Sequence, residues 1–265
     1  MIKISAVIIT HNEERNIARC IESIQGIADE IILVDSYSDD RTAAIAQGYG
    51  AKIFYHEFKD FSAQKTFAIA LANNDFVLSI DADELLSPAL RASLLKEKEQ
   101  PRYDGYQVNI LANYCGKWIR HCGWYPQPKL RLFNKNKCGI NDNKVHESIV
   151  VKDKKTKIGF LDGDILHYSY NSISDHIKKI ELYSELAARN AIDKGEKIGI
   201  VKILFGPAWK FIYNFIFRGG FLDGYLGYVI CKNIAYGGFI KYVKIKLYSA
   251  RPLNDIGRQP MPLNS

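Results

Sequence analysis

The sequence predicts an α/β fold built on a mixed, mostly parallel central sheet with flanking helices. Three observations predict it. Four Ile- and Val-rich runs recur in the first hundred residues, at ISAVIIT (4–10), EIILVD (30–35), AKIFYHE (51–57) and FVLSID (76–81). They are apolar almost throughout rather than alternating, as strands buried on both faces are. Helix-like stretches separate them at Glu14–Ile24, Asp39–Gln47 and Phe61–Ala72, which gives the crossovers that parallel strands need.

Each element has a local cause. Ser38-Asp39-Asp40-Arg41-Thr42 supplies capping oxygens and first-turn acids for the second helix. A fourth helix is expected at about Pro88–Lys98. From Tyr103 the pattern shortens: YDGYQVNILANY, KLRLFNK, VHESIVV and FLDGDILHYSY read as strands between Gly and Asn turns, a partly antiparallel extension of the sheet. Ser174–Lys194 is a helix by its apolar spacing, stopped by Gly195. The stretch 198–250 is rich in aromatic and basic residues.

With 265 residues, 47% hydrophobic and 25% charged, the chain has ordinary globular composition. Its net charge of +7 hides an asymmetry. Residues 1–100 carry 10 Lys and Arg against 16 Asp and Glu; residues 101–265 carry 26 against 13. The two halves therefore have different tasks. MIKISAVIITHNEE reads as a first strand rather than a secretory signal, and no apolar run of about 18 residues is free of charge, so a cytoplasmic chain without a membrane span is expected. Five irregularly spaced cysteines without a CxxC pair predict free thiols rather than a zinc site.

In open α/β sheets ligands bind beyond the carboxyl ends of the strands. Here the polar residues gather there, in Thr10-His11-Asn12-Glu13-Glu14, Asp35-Ser36 and Asp81-Ala82-Asp83. Asp81 and Asp83 leave an extended chain on one face, and such a pair can hold Mg²⁺ or Mn²⁺ with phosphate oxygens completing the shell. The bland alternative is that these acids, with Glu84, only cap the helix starting near Ser87. The first turn lacks GxGxxG and no GxxxxGK[ST] occurs, so a phosphate would be met by a metal and basic side chains. Lys65 lies on a helix leading back to the acids. Arg131, between apolar residues of KLRLF, could hold an anion with its planar fork, and His167 could be a further metal or diphosphate contact. Trp118, Trp124 and Tyr125 form either a sugar platform or ordinary packing.

IITHNEERNI, EIILVDSYSDDRT, a lone Lys before an Ala-rich helix, and FVLSIDADE together resemble the family-2 glycosyltransferases of GT-A fold. WYPQPKLRLF followed by VHE and a Tyr-rich helix is similar to the branch that builds the lipopolysaccharide inner core. The resemblance implies a GT-A nucleotide-diphospho-sugar transferase domain over 1–170, with a nucleotide-sugar half at 1–100 and an acceptor half at 101–170. A helical, membrane-associating region would follow at 171–265. It implies that Thr10, Asn12 and Glu14 line the base and ribose, Asp35 contacts uracil or ribose, Lys65 approaches the diphosphate, Asp81 faces ribose or sugar, and Asp83 ligates Mn²⁺ or Mg²⁺. Two positions depart from the family: Ser36 stands where many relatives carry a second Asp, and Tyr37 where a Gly is usual.

An inverting transfer also needs a general base for the acceptor hydroxyl. Position points to Glu147 in VHE, with Asp142 in reserve. The implied reaction moves a sugar, glucose foremost, from a UDP-sugar to an inner-core or other lipid-linked glycan. Residues 199–251 hold eight Lys and Arg and one acid, Asp223. Ile240, Val243 and Leu247 share a helical face away from Lys241 and Lys244, and the segment 198–217 is more apolar but interrupted by Lys202, Pro207 and Lys210. A helix lying on an anionic membrane surface, peripheral to the inner membrane, explains both, and a packed helical pair is the alternative. Nucleic acid is not expected, because no recognised motif accompanies the basic tail. Two rival classes are a haloacid dehalogenase-type phosphatase and a non-catalytic membrane-docking protein. The first lacks the Thr or Val expected two residues past its second Asp; the second does not explain why Asp35, Lys65, Asp83 and Glu147 occur together.

Overall fold

The structure is a computed structural model that describes residues 1–141 and 148–250. Strands β1 (Ile4–Thr10), β2 (Glu30–Asp35), β3 (Lys52–Tyr55) and β4 (Phe76–Asp81) alternate with helices α1 (Ile17–Ile24), α2 (Thr42–Gly48) and α3 (Phe61–Leu71). A three-residue strand β5 (Glu84–Leu86) precedes α4 (Pro88–Glu99). Then come β6 (Gly105–Tyr114), β7 (Lys117–Trp118), β8 (Pro128–Asn134), β9 (Cys138–Ile140), β10 (Ile149–Val151) and β11 (Ile158–Tyr170). Helices α5 (Ile173–Asp193), α6 (Ile200–Ile212) and α7 (Gly224–Ala250) end the described chain.

The main sheet runs β3-β2-β1-β4-β8-β6-β11-β5, with β7 beside β6. β3, β2, β1 and β4 are parallel, and β8 joins antiparallel at β4. Alternate residues of the parallel strands serve opposite faces, as the unbroken apolar runs require. Ile8, Leu33 and Leu78 pack with Ile17, Ile21 and Ile24 of α1, while Val7, Ile32, Val34 and Val77 pack with Ala68 of α3. Each large aliphatic removed from water contributes about 1.5–3 kcal/mol.

Two helices start later than the sequence pattern suggests, for one reason. The backbone N–H groups of Glu13 and Glu14 donate to Thr42 Oγ1 (2.8 Å) and Asp40 Oδ2 (3.1 Å). Those donors would otherwise open the first helix, so α1 begins at Ile17. Asp40 in turn accepts from the N–H of Thr42 (2.9 Å), which holds the start of α2 at Thr42. β5 is absent from the sequence reading because three residues carry no periodicity. Its register against β11 sets Glu84 opposite His167. Ser87, not Glu84, caps α4, accepting from the N–H of Leu90 at 3.3 Å. Gly163 of β11 passes α4 so closely that a Cβ would lie 2.3 Å from the Leu90 nitrogen, and its φ is +94°.

The chain divides into two compact units: residues 1–111 with 126–168, and 112–125 with the chain from Ser169. In the second, a capping box between Ser172 and Asp175 opens α5. Asp223 is buried and clasps the 112–125 segment. It accepts from the His121 N–H (2.8 Å) and sits 3.1 Å from His121 Nδ1, while Lys117 Nζ donates to its carbonyl (2.6 Å). The five cysteines are free thiols.

Glu30 ties the near edge of the first unit together. Its carboxylate accepts from Ser5 Oγ on β1 (2.6 Å), Lys52 Nζ on β3 (2.8 Å), and the Asn73 N–H (3.0 Å) and side chain. Burial works to raise its pKa, but those donors bring it down to about 2. An unfolded glutamate titrates near about 4.3, so this stabilisation is whole above about pH 5 and is lost as pH falls towards 2. Glu30→Gln is expected to cost about 1–2 kcal/mol at pH 7 and to shrink the wild-type advantage as urea midpoints are taken down to pH 3.

Candidate active site

The parallel register aligns three strand ends. Thr10 lies opposite Asp35, and Ile9 opposite Asp81, so β2, β1 and β4 stop on one line with their polar residues projecting beyond it. All residues of the site described below belong to the first unit.

Asp81 is the electrostatic centre. Lys65 Nζ, carried by α3, sits 3.0 Å from its Oδ1 and 3.3 Å from its Oδ2, and Arg131 Nη2 of β8 lies 3.6 Å from Oδ2. Burial opposes its ionisation, yet Lys65 first and Arg131 second hold its pKa well below the usual carboxylate range. Lys65 is buried, so the expectation that it leads back to the acids is met by direct contact.

Glu84 has a role the sequence did not suggest. It is 1% exposed, accepts from Arg131 Nη2 at 2.6 Å, and its other oxygen accepts from the Asp81 N–H at 3.0 Å. Burial raises its pKa, opposed by Arg131. Arg131 also donates to the Ser79 carbonyl at 3.4 Å. Its fork is thus directed at the protein's own carboxylates.

Asp83 and His167 meet as register neighbours of the β5–β11 pair. His167 Nε2 is 3.0 Å from Asp83 Oδ2, and the Tyr168 N–H donates to the Asp83 carbonyl at 3.0 Å. Burial lowers the His167 pKa, but the charge and hydrogen bond of Asp83 raise it overall. Both side chains keep part of their surface in solvent, 23% for Asp83 and 28% for His167. A carboxylate and an imidazole side by side suit Mn²⁺ or Mg²⁺, the nitrogen favouring Mn²⁺. Among the described residues no group of three side-chain ligands collects, so diphosphate oxygens and water would complete the shell.

The turn after β1 divides by role. Asn12, at φ +56°, accepts from the Asp39 N–H (3.0 Å) and its own N–H donates to Ser38 Oγ (2.9 Å); Glu14 accepts from the Arg41 N–H (3.2 Å). These two predicted contacts stitch the loop after β1 to the loop after β2. Thr10 and Asp35 differ. Thr10 Oγ1 and Asp35 Oδ2 are buried polar atoms with no hydrogen-bond partner, although Asp35 Oδ1 accepts from the Ser38 N–H at 2.6 Å. Buried oxygens without donors are costly and point to an absent donor group. Tyr37, the departure noted in the sequence, holds φ +60°, a conformation that suits glycine, and stacks its exposed ring on Tyr55 (5.8 Å). Glu147 and Asp142 lie outside the described residues. Trp124 belongs to an aromatic cluster of the second unit with Tyr114, Tyr170 and His176.

The model of glycosyl transferase family 2 matches residues 5–150, more than half of the chain. The chain belongs to glycosyl transferase family 2. It is 34% identical to an uncharacterised glycosyltransferase of Rickettsia typhi, over 97% of this chain and 91% of that one. It is 30% identical to LpsC, a lipopolysaccharide core biosynthesis glycosyltransferase of Rhizobium meliloti, over 91% of each. A crystal structure of S. aureus TarS residues 1–349 with UDP aligns over 94% of this chain and 91% of that one, at 13% identity and TM-score 0.44. Membership of this family, shown by the family model and the curated relatives, makes the chain an enzyme of GT-A fold, and the strand order is that of a mixed, mostly parallel sheet.

The Arg131–Glu84 pair separates structural from binding roles. Arg131→Ala leaves a buried carboxylate without its cation and should cost about 3 kcal/mol or more. Adding Glu84→Gln should restore much of that loss in urea unfolding; equal instability of single and double variants would show that the pair is not the source.

Proposed function

We propose that this family-2 transferase moves a sugar, glucose foremost, from a UDP-sugar to a lipid-linked glycan of the lipopolysaccharide core type, with inversion. The observation that carries the donor half is the pair of unpartnered oxygens on Thr10 and Asp35, set beside the Asp81–Lys65 ion pair. A ribose hydroxyl or a uracil N–H would supply the donors those oxygens lack. Lys65 would stand near the diphosphate while holding Asp81 ionised towards the ribose or sugar. Asp83 and His167 would hold the cation, which when bound draws off negative charge developing on the leaving diphosphate.

The acceptor hydroxyl would attack the anomeric carbon as the carbon–oxygen bond to the diphosphate breaks. A carboxylate takes the hydroxyl proton, and Glu147, with Asp142 in reserve, is our proposal for it. The acceptor class is supported by the relative LpsC, whose name specifies the lipopolysaccharide core. Calorimetry with UDP and Mn²⁺ should show binding that Asp83→Ala weakens about tenfold or more. Glu147→Gln should keep that binding while transfer falls by a factor of about 100 or more. UDP binding indifferent to Mn²⁺ and to Asp83 would remove the donor-site assignment.

A membrane-surface location is also proposed, carried by the 198–217 segment rather than by the Ile240–Leu247 stripe. In α7, Val243 packs with the buried Ile245 and Ile203, and Lys244 pairs with Glu181 (2.7 Å) and Glu185 (3.2 Å). The unpartnered apolar face is on α6 and the turn after it. Leu204, Phe205, Trp209, Ile216 and Phe217 are each more than half exposed, while Ile203, Gly206, Lys210, Phe211 and Asn214 face inward. Ile200–Phe217 is long and apolar enough to cross a bilayer, with mean hydropathy 1.3. Its one-sided exposure, with Lys202, Pro207 and Lys210 in the run, fits a helix lying in the interface instead. Phe205→Glu with Trp209→Glu should abolish cosedimentation with vesicles yet shift unfolding by no more than about 0.5 kcal/mol. Undiminished vesicle binding would move the anchor elsewhere.

A further inference from the structure

The second unit contains a cavity of about 350 Å³ lined by Trp124, Tyr170, His176, Lys179, Lys210 and Lys241, among others. Among the described residues no carboxylate lines it. Three lysines around one hollow repel one another unless an anion sits among them.

Their surroundings do not neutralise them. Among the described residues Lys210 and Lys241 have no acidic partner; the nearest aromatic face to Lys210 is the Tyr242 ring, 5.5 Å from Nζ. Lys179 donates to the Ser169 carbonyl at 3.2 Å and lies 4.8 Å from the Tyr170 ring, contacts that leave its charge uncancelled. Lys244, on the same helix as Lys241, is by contrast paired with two glutamates. Burial, then Lys241 and Lys202, lower the Lys210 pKa. His176 adds no charge at neutral pH: burial, then Lys179, bring its pKa down to about 4, and its Nδ1 lies 3.1 Å from the Tyr114 hydroxyl and 3.0 Å from Asn233 Nδ2.

The backbone makes room for this arrangement. A Cβ on Gly238 would lie 2.9 Å from Lys210 Cδ and 3.0 Å from its Nζ, so a glycine on α7 lets that lysine lie flat against the helix. Lys210 is carried by α6, whose other face is the exposed apolar stripe. Charge for a headgroup and apolar surface for a chain thus occur on the two sides of one helix.

We propose that this cavity binds the phosphate of an anionic membrane lipid, whose acyl chains run along the apolar face of α6. The proposal builds on the membrane reading above and adds selectivity to it: α6 supplies insertion, and the lysine cavity supplies the preference for anionic headgroups. Stacking of Trp124 and Tyr170 gives the cavity the amphipathic walls that suit an interfacial depth.

The test uses the full chain and vesicles of phosphatidylcholine with or without about a third phosphatidylglycerol. Lys210→Gln with Lys241→Gln should weaken binding to the anionic vesicles about tenfold or more and leave binding to pure phosphatidylcholine unchanged. The exposed pair Lys178→Gln with Lys246→Gln removes the same charge outside the cavity and should cost much less. Equal losses for the two pairs would overturn the cavity in favour of diffuse attraction. Calorimetry with monomeric dihexanoyl phosphatidylglycerol should show binding that Gly238→Ala and the Lys210/Lys241 variant both weaken. Glycerol phosphate binding as tightly as that lipid would overturn the lipid assignment for a free-phosphate site. Failure of the wild type to bind pure phosphatidylcholine would count against insertion of α6, while the monomeric-lipid titration still decides the cavity.

Discussion

The site depends on one buried charge cluster: Asp81 held between Lys65 and Arg131, with Glu84 beneath. Lys65 comes from α3, Asp81 from β4, Glu84 from β5 and Arg131 from β8, so four elements must be in place before any charge is compensated. Removing one partner leaves a buried ion uncovered, which costs several kcal/mol. The cluster therefore couples the fold of the sheet to the position of Asp81. Asp83, two residues on, inherits that position and reaches His167 across the β5–β11 pairing. Glu84, the third acid of the run, shares Arg131 with Asp81 and accepts from the Asp81 N–H, so the two carboxylates are compensated by Lys65 and Arg131 together.

Much of this was legible in the sequence, and the boundary of legibility has physical causes. The four parallel strands could be read because burial on both faces forces unbroken Ile and Val runs, as in EIILVD. Asp35, Lys65, Asp81 and Asp83 could be placed at one edge because parallel strands end together. Glu84 could not be understood without β5, whose three residues leave no pattern, nor without Arg131, 47 residues further on. Asn12 and Glu14 read as ligand contacts because polar residues after a first strand have that look. Their oxygens are committed to the backbone of the loop after β2, a long-range pairing that local sequence does not encode. For the tail, the amphipathic pattern of α7 was visible, but a periodic stripe does not say whether it faces a neighbouring helix or lipid.

Exposure distinguishes the two helices of the tail. A helix packed in a water-soluble unit turns its apolar side inward. α6 and the turn after it place Lys210 and Asn214 on the packed side beside Ile203 and Phe211, and leave Phe205, Trp209 and Phe217 outside. Such an arrangement exposes a contiguous apolar patch of a kind that soluble monomers rarely carry. The packed side can be polar because Gly206 and Gly238 let α6 and α7 approach closely, with Tyr242 and Lys210 filling the space.

The two departures from the family pattern also have structural counterparts near Asp35. Ser36 replaces the second acid common in relatives, and its hydroxyl accepts from Gln64 Nε2 at 2.9 Å; Gln64 in turn lies 2.7 Å from His56 Nδ1. A chain of hydrogen bonds thus stands where a further carboxylate would add charge beside Asp35, whose buried Oδ2 already lacks a donor. One fewer negative charge at this edge lowers the repulsion among its own carboxylates. Tyr37 retains a left-handed backbone that a tyrosine adopts at a cost of about 1 kcal/mol. Its ring is not buried in compensation but exposed and stacked on Tyr55. The strain is held by the turn around it, where the Ser38 N–H donates to Asp35 Oδ1 and Ser38 Oγ accepts from the Asn12 N–H.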